Sequence, residues 1–483
     1  MSEPARSRLL PQLWWLLPLA GAWAWYATVI TSFIARIRAL DCVENYGFAV
    51  FDQIIYNAAT TGHFQQTIHF GYVDDWLWSG HRCLYQFVIP WLYSHDPGPE
   101  FLARLQVGVV ALGALPAFGL GRRAIAQGDR GLAGALAGVL GMLVYLCFPA
   151  LMALARADYQ DLLLGVPFML AAIHQSRRES SVGFLLAGFA ACAAREEWAM
   201  MLPLVGLSFP GRLKQRAGWC LRGLGVSLVY AAFVAYLGRN HQGYDNQTAS
   251  HLGGVFLEGV RFTRSWTDVE RFYLGFLQPV QGLAVLAPLT TIPAAGALFF
   301  HLTAPSQGGI DTQWSGHIHH MAPVATFLIA GCIDAMGVLE AGIRRLPRFR
   351  GAVRVVLLGL AGGWVVRKMT LWLAFLHITP TLTTPTELNP PRAPEWALAA
   401  QVPAGATVAT DTHASLTLSS RTGSYTYSES LADKTRGRGL DVVEYAMIRN
   451  TDSSWVGGAV NAGATVVGST ATYTLYKMPW ALH

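Results

Sequence analysis

Apolar residues run repeatedly in blocks of about 20 without a charge, and the polar residues gather between the blocks. This pattern predicts membrane spans over Trp14 to Ile34, Phe101 to Leu120, Leu132 to Met152 and Leu162 to Ile173. Leu221 to Leu237, Met321 to Leu339 and Leu357 to Leu376 continue the series. Val182 to Pro210 reads differently, because basic residues flank both ends and Arg195-Glu196-Glu197-Trp198 interrupts its middle. Two arms of about 13 residues fit it, each reaching about 20 Å, with the charged apex at membrane depth and facing a wet cavity. Val280 to His301, interrupted by Pro288 and Pro293, reads as another in-and-out pair. The total is about eleven helices, a polytopic α-helical membrane protein.

The basic residues set the orientation. Arg6 and Arg8 precede the first span, and the pairs Arg122-Arg123, Arg177-Arg178 and Arg344-Arg345 all fall on that same side. The N-terminus is therefore expected in the cytoplasm, behind an uncleaved anchor, with the chain in the inner (plasma) membrane. The other side receives the loop over 36–99, whose stretch from Glu44 to Asp96 concentrates Asp52, Asp74, Asp75, His63, His69, His81 and many aromatic residues. Within it, Cys83 to Tyr93 is apolar but short, as an interfacial helix would be. The same side receives a second long loop and Thr303 to His320, which holds Asp311, His317, His319 and His320.

Past residue 380 the character changes. Pro380, Pro385, Pro390, Pro391 and Pro394 mark a stiff linker. Beyond it ATVATD, GSYTYS, VVEYAMI and TYTLYKM read as strands, with short helices over Ala414 to Ser419 and Trp455 to Ala462. The expected organisation is a membrane domain over 1–379 and a small extracytoplasmic α/β domain over 380–483.

Composition agrees with the membrane reading: 53% of the 483 residues are hydrophobic, only 13% are charged, and the mean hydropathy is +0.34. The net charge of +6 does not point to nucleic acid, because the basic residues sit in short clusters between spans. No paired-cysteine spacing suggests a Cys-ligated metal, although Cys42 and Cys83 bracket the outer loop and would pair in an oxidising space.

Four loops bring candidate chemistry to the outer side. Asp52 comes from the first, Asp158 and Asp161 from the turn ARADYQD, Arg195, Glu196 and Glu197 from the hairpin apex, and His317 and His320 from the late loop. Charges at membrane depth are costly enough to make the apex a functional candidate. Asp52 also fits a cap on a helix beginning DQIIYNAA, Asp74-Asp75 fit another, and the late histidines fit a solvated loop.

The order FDQIIYN, GHR, RRAI, ADYQ, REEW, HIHHMAPVATFLIAG and VPAGATVATDTHASLTLSSR resembles a bacterial family of membrane proteins of unknown function, similar in plan to the C-type (GT-C) glycosyltransferases. The resemblance covers nearly the whole chain. It implies an outer loop with interfacial helices and a polyprenyl-phosphate-linked sugar as donor, taken from the membrane lipid phase and transferred to a cell-envelope acceptor. It implies Asp52 as base, Asp158 as a supporting acid and Arg195 as a phosphate contact, with Glu196 and Glu197 beside them. His81, Arg82, Gln160, His317 and His320 are the substrate-side candidates, and a divalent metal ion could join Asp158 or the late histidines. The chain departs from the family pattern at Gly47 and Gly80, where relatives carry Asp, and at Gln160, where they carry His. Two other classes stay open: a transporter or lipid flippase with the apex charges as an ion relay, and a non-catalytic scaffold of the same fold.

Overall fold

The computed structural model describes residues 14–42, 45–68, 83–127, 131–238, 283–303, 321–345, 363, 367, 391–426, 440 and 443–480. His69, Asp74, Asp75, His81, Arg82, Asp311, His317, His319, His320, the span over Leu357 to Leu376 and the start of the proline linker lie outside them.

The first span is helix α1, Leu16–Ala39, which ends where Leu40 turns left-handed. Helix α2, Asn45–Thr61, starts seven residues before Asp52, so the N-cap reading of Asp52 is overturned. FAVF extends the apolar face upstream of DQII, and Asn45 secures the start by accepting from the Cys42 amide and donating to the Leu40 carbonyl. The interfacial segment is a 3-10 turn, Leu84–Phe87, followed by α3, Ile89–Tyr93, with Phe87, Val88 and Trp91 exposed.

Helices α4, Pro99–Ala111, and α5, Ala114–Ala126, form one span of 28 residues. Helices α6, Leu132–Leu146, and α7, Pro149–Ala155, meet at 55°, with Pro149 at the break. Helices α8, Asp161–Leu164, and α9, Val166–Arg177, return. Helix α10, Ser181–Ala194, stops at Arg195, whose backbone is extended, and α11, Glu196–Met201, runs into a 3-10 segment, Leu202–Ser208. The arms fold back on each other: a Cβ on Gly188 would meet Leu202 at 2.8 Å. The break falls where the charged apex was expected.

Helix α12, Leu213–Gly238, and α14, Ala322–Arg344, are single long spans. Between them, the in-and-out pair expected over Val280 to His301 is a correction. A short 3-10 turn, Leu283–Leu286, precedes one continuous helix, α13, Pro288–Thr303, which carries Pro293 internally. Pro288 opens the helix, where its missing N–H costs nothing, and does not divide it. Among the described residues, four helices are long and apolar enough to cross a membrane, or up to five if the bent pair is one span.

The C-terminal part begins with α15, Pro394–Ala399. Its sheet comprises β1, Val408–Thr410, β2, Ser424–Thr426, β3, Tyr445–Arg449, β4, Thr465–Ser469, and β5, Tyr473–Lys477, in the order β2-β1-β3-β5-β4. β1 pairs in parallel with β2 and β3, and β5 pairs antiparallel with β3 and β4. Helix α16, Ser453–Asn461, links β3 to β4. β4 was not among the expected strands: it is an exposed edge strand with a glycine and a register shift at Val466/Gly468.

Small residues permit a close helix contact. Gly121 of α5 and Gly141 of α6 face each other, and a Cβ on Gly141 would lie 2.5 Å from the Ala117 carbonyl oxygen and 2.9 Å from the Gly121 Cα. Backbone cannot yield there as a side chain would. Gly141→Leu is expected to cost about 1–3 kcal/mol through overpacking, read as a lower unfolding midpoint in detergent. Gly225→Leu, where nothing lies within 4 Å, is expected to leave it unchanged.

Candidate functional site

The turn ARADYQD, between α7 and α8, is the polar centre of the membrane part. Arg156, Asp158, Tyr159, Gln160 and Asp161 are all buried in it. A glutamine from the apolar span α4 holds the turn in shape. Gln106 Nε2 donates to the carbonyls of Ala155 (3.1 Å) and Asp158 (2.7 Å), and its Oε1 accepts from the Gln160 amide at 2.6 Å. Buried backbone groups must find partners within the protein, and here one side chain supplies both donors and the acceptor. Gln160 in turn donates from Nε2 to Asp158 Oδ2 at 2.6 Å.

On the side of α1, Arg156 donates to Ser32 Oγ at 3.1 Å, and the Arg36 charge acts on it. Asp158, Arg36 and Asp41 all act on Cys42, whose thiol burial pushes well above its ordinary range. Asp158 therefore sits among charges of both signs at the C-terminal end of α1.

On the side of the hairpin apex, Arg195 is wholly buried and paired twice, to Asp161 at 3.2 Å and to Glu197 at 3.0 Å. Glu196 is partly buried in the first turn of α11. Trp198 locks the apex by donating to the Leu162 carbonyl at 2.9 Å, and a Cβ on Gly165 would strike its ring at 2.1 Å. Cys83, just before the 3-10 turn Leu84–Phe87, lies within reach of the Asp161 and Arg195 charges. Cys42 and Cys83 are both free and buried, each in a separate electrostatic neighbourhood, which corrects the pairing that their positions in the outer loop suggested.

Asp52 is placed elsewhere. Phe48 and Phe51 of α2 face the turn, their rings 6.3 and 5.6 Å from that of Tyr159. Asp52 points toward the C-terminal part instead. Its Oδ1 accepts from the Tyr93 hydroxyl at 2.7 Å, and its Oδ2 accepts from Ser419 at 2.6 Å and Ser420 at 2.7 Å. Complete burial pushes its carboxyl above the usual range, while the hydroxyls of Ser419, Tyr93 and Ser420 pull it back. The next residue continues the seam: Gln53 Nε2 donates to Thr67 Oγ1 and to the carbonyls of Arg421 and Ser424, and its Oε1 accepts from the amides of Thr67 and Ile68. Thr67 Oγ1 also donates to the Ser424 carbonyl.

The structure thus brings Asp158, Gln160, Arg195 and Glu197 to one turn and one apex, and sets Asp52 in a separate seam. Gln106, Tyr93, Ser419 and Ser420 were not anticipated. A lone glutamine in an apolar span was the one available signal for Gln106, and the LSSR run carries none for its serines. Among the described residues, no group of three or more His, Cys, Asp or Glu side chains is placed to hold a metal ion.

Residues 42–457 match the family described as "Predicted membrane protein (DUF2079)", and the chain belongs to that family. No curated protein matches it. Among solved structures, the crystal structure of ArnT from Cupriavidus metallidurans in the apo state is similar, with a TM-score of 0.55, 14% sequence identity, and coverage of 96% of this chain and 97% of that one. At that identity the likeness is one of fold, and it supports the resemblance to GT-C enzymes.

Arg195→Met is expected to destabilise the protein by about 3–5 kcal/mol, because it leaves the Asp161 and Glu197 carboxylates without their shared cation. Adding Asp161→Asn and Glu197→Gln to that variant is expected to recover most of the loss, both read as unfolding midpoints in detergent.

Proposed function

We propose that the protein is a GT-C-like membrane glycosyltransferase, moving a sugar from a polyprenyl-phosphate donor to a cell-envelope acceptor on the outer face of the inner membrane. The observation that carries this reading is the end-to-end fold likeness. The buried, glutamine-clamped polar turn at the outer end of the spans supports it. In this reading about eleven helices cross the membrane, the N-terminus is cytoplasmic, and residues 380–483 form an extracytoplasmic domain on a membrane domain of residues 1–379.

In the reaction, an acceptor hydroxyl attacks the anomeric carbon of the donor sugar. The bond from that carbon to the phosphate oxygen breaks, and the electron pair leaves with the lipid phosphate. A carboxylate takes the acceptor's proton. We assign that role first to Asp158, one of whose oxygens is held by Gln160 and whose neighbours Arg156 and Arg36 bring positive charge toward a leaving phosphate. Asp52, the other candidate base, has three hydroxyl donors on it and serves better as the anchor of the C-terminal domain. Arg195, held by two carboxylates, shapes the wall of the site with Glu196 and Glu197. Arg82, His81, His317 and His320 are the substrate-side residues that the loops would add, and a divalent metal there would polarise the phosphate.

The test is release of polyprenyl phosphate from a lipid-linked sugar pool by the purified protein with envelope extract as acceptor. Asp158→Asn is expected to lose about 10²–10⁴-fold in rate, the usual worth of a general base, and Asp52→Asn less than tenfold. Full transfer by Asp158→Asn with loss in Asp52→Asn would return the base to Asp52. No release by the wild type, with glycans unchanged, would favour the scaffold, and solute flux without glycan change would favour the transporter.

A further inference from the structure

The end of the bundle that gathers the double arginines lies about 24 Å from the ARADYQD turn, 16 residues along α8 and α9 at 1.5 Å each. There α9 presents His174 and Arg177, three residues apart and so neighbours on one helix face. Both are more than nine-tenths buried. Arg177 donates from Nη2 to Asp334 at 2.5 Å and to Thr290 at 3.1 Å, which orients its guanidinium. Yet Arg177 Nε and His174 Nδ1 are buried with no hydrogen-bond partner among the described residues. A buried guanidinium N–H left unmade costs more than an ordinary lost bond.

The surroundings say what would satisfy them. The charges of Arg123 and Arg216 act on Arg177, and those of Arg178, Arg123 and Arg122 act on His174. Arg123 and Arg178 are exposed, so cationic side chains stand between the two buried donors and the surface at this end. Of the described carboxylates, Asp334 is already bonded to Arg177 and Thr290, and Glu179 follows Arg178 in the chain and is exposed. His174 packs directly on Gly119, where a Cβ would lie 2.5 Å from its ring. A general inside-positive bias explains arginines at this end. It does not explain two buried donors, on one helix face, without a partner among the described residues.

We propose that His174 and Arg177, with Arg123, Arg178 and Arg216 at the rim, form a binding site for a phosphate group. It is separate from the proposed transfer site and independent of that reading. The guanidinium Nε–H and the Nδ1–H tautomer of the imidazole donate to the phosphate oxygens, and the rim arginines supply the countercharge.

The full chain in neutral detergent, stripped of lipid, would be titrated separately with inorganic phosphate and with short-chain phosphatidylglycerol, and bound species counted by native mass spectrometry. One saturable phosphate-bearing adduct is expected. Binding of inorganic phosphate identifies a free-anion site, and binding of the lipid alone identifies a headgroup site. Arg123→Gln and, separately, His174→Gln are each expected to weaken binding roughly tenfold, the loss of one charge-assisted contact. Arg123 takes no part in the Arg177–Asp334–Thr290 bonds, so its variant keeps the fold while testing the site. Binding by both variants equal to wild type, or no saturable adduct with either probe, would overturn the proposal.

Discussion

In a hydrocarbon interior, an unbonded backbone carbonyl costs several kcal/mol, and this constraint organises the molecule. The chain breaks helical structure within its apolar bundle between Ala155 and Asp161 and again at Arg195. Each break exposes polar groups that must be answered by protein. Gln106 answers the first from a neighbouring span, and Asp161 with Glu197 answers the cation that the second introduces. The two breaks face each other, so their partners are shared: Asp161 ends one and pairs with the other. A buried polar cluster within an apolar bundle follows from that pairing.

Helix α2 and the C-terminal sheet are built onto this centre. Helix α2 lays Phe48 and Phe51 over Tyr159 on one side and turns Asp52 and Gln53 to the sheet on the other. Leu416, beside the serines that hold Asp52, belongs to the same apolar core as the spans. At the start of the C-terminal part, the Ala393 amide donates to the Arg38 carbonyl, and Glu100 takes Arg38 and Arg392 together. The sheet is therefore fastened at two places, a buried seam of hydroxyls and amides and a half-buried ionic one.

Much of this was legible in the sequence. Charges inside an apolar block announce a break, which is why the apex at Arg195 was placed correctly. Alternation of β-branched and aromatic residues announced four of the five strands. What failed had physical reasons. Asp52 looked like a cap because Asp favours helix starts, but the four apolar residues before it already form helix on the same buried face. Pro288 and Pro293 looked like breaks, yet a proline that opens a helix costs nothing and the second is tolerated inside it. β4 is exposed along most of its length and interrupted by Gly468, so it lacks the pattern of a buried strand. Gln106, Ser419 and Ser420 act through contacts with residues about 50 and 370 positions away, and no local pattern carries such pairings.

The central claim, glycosyl transfer from a lipid-linked donor at the outer face, is tested most directly by mass spectrometry of lipid-linked sugars in membranes of a strain lacking this chain. The account predicts that one polyprenyl-phosphate sugar accumulates while one envelope glycan loses that sugar, both reversed by returning the wild-type chain. Unchanged lipid-linked sugars and unchanged glycans in that strain would contradict it.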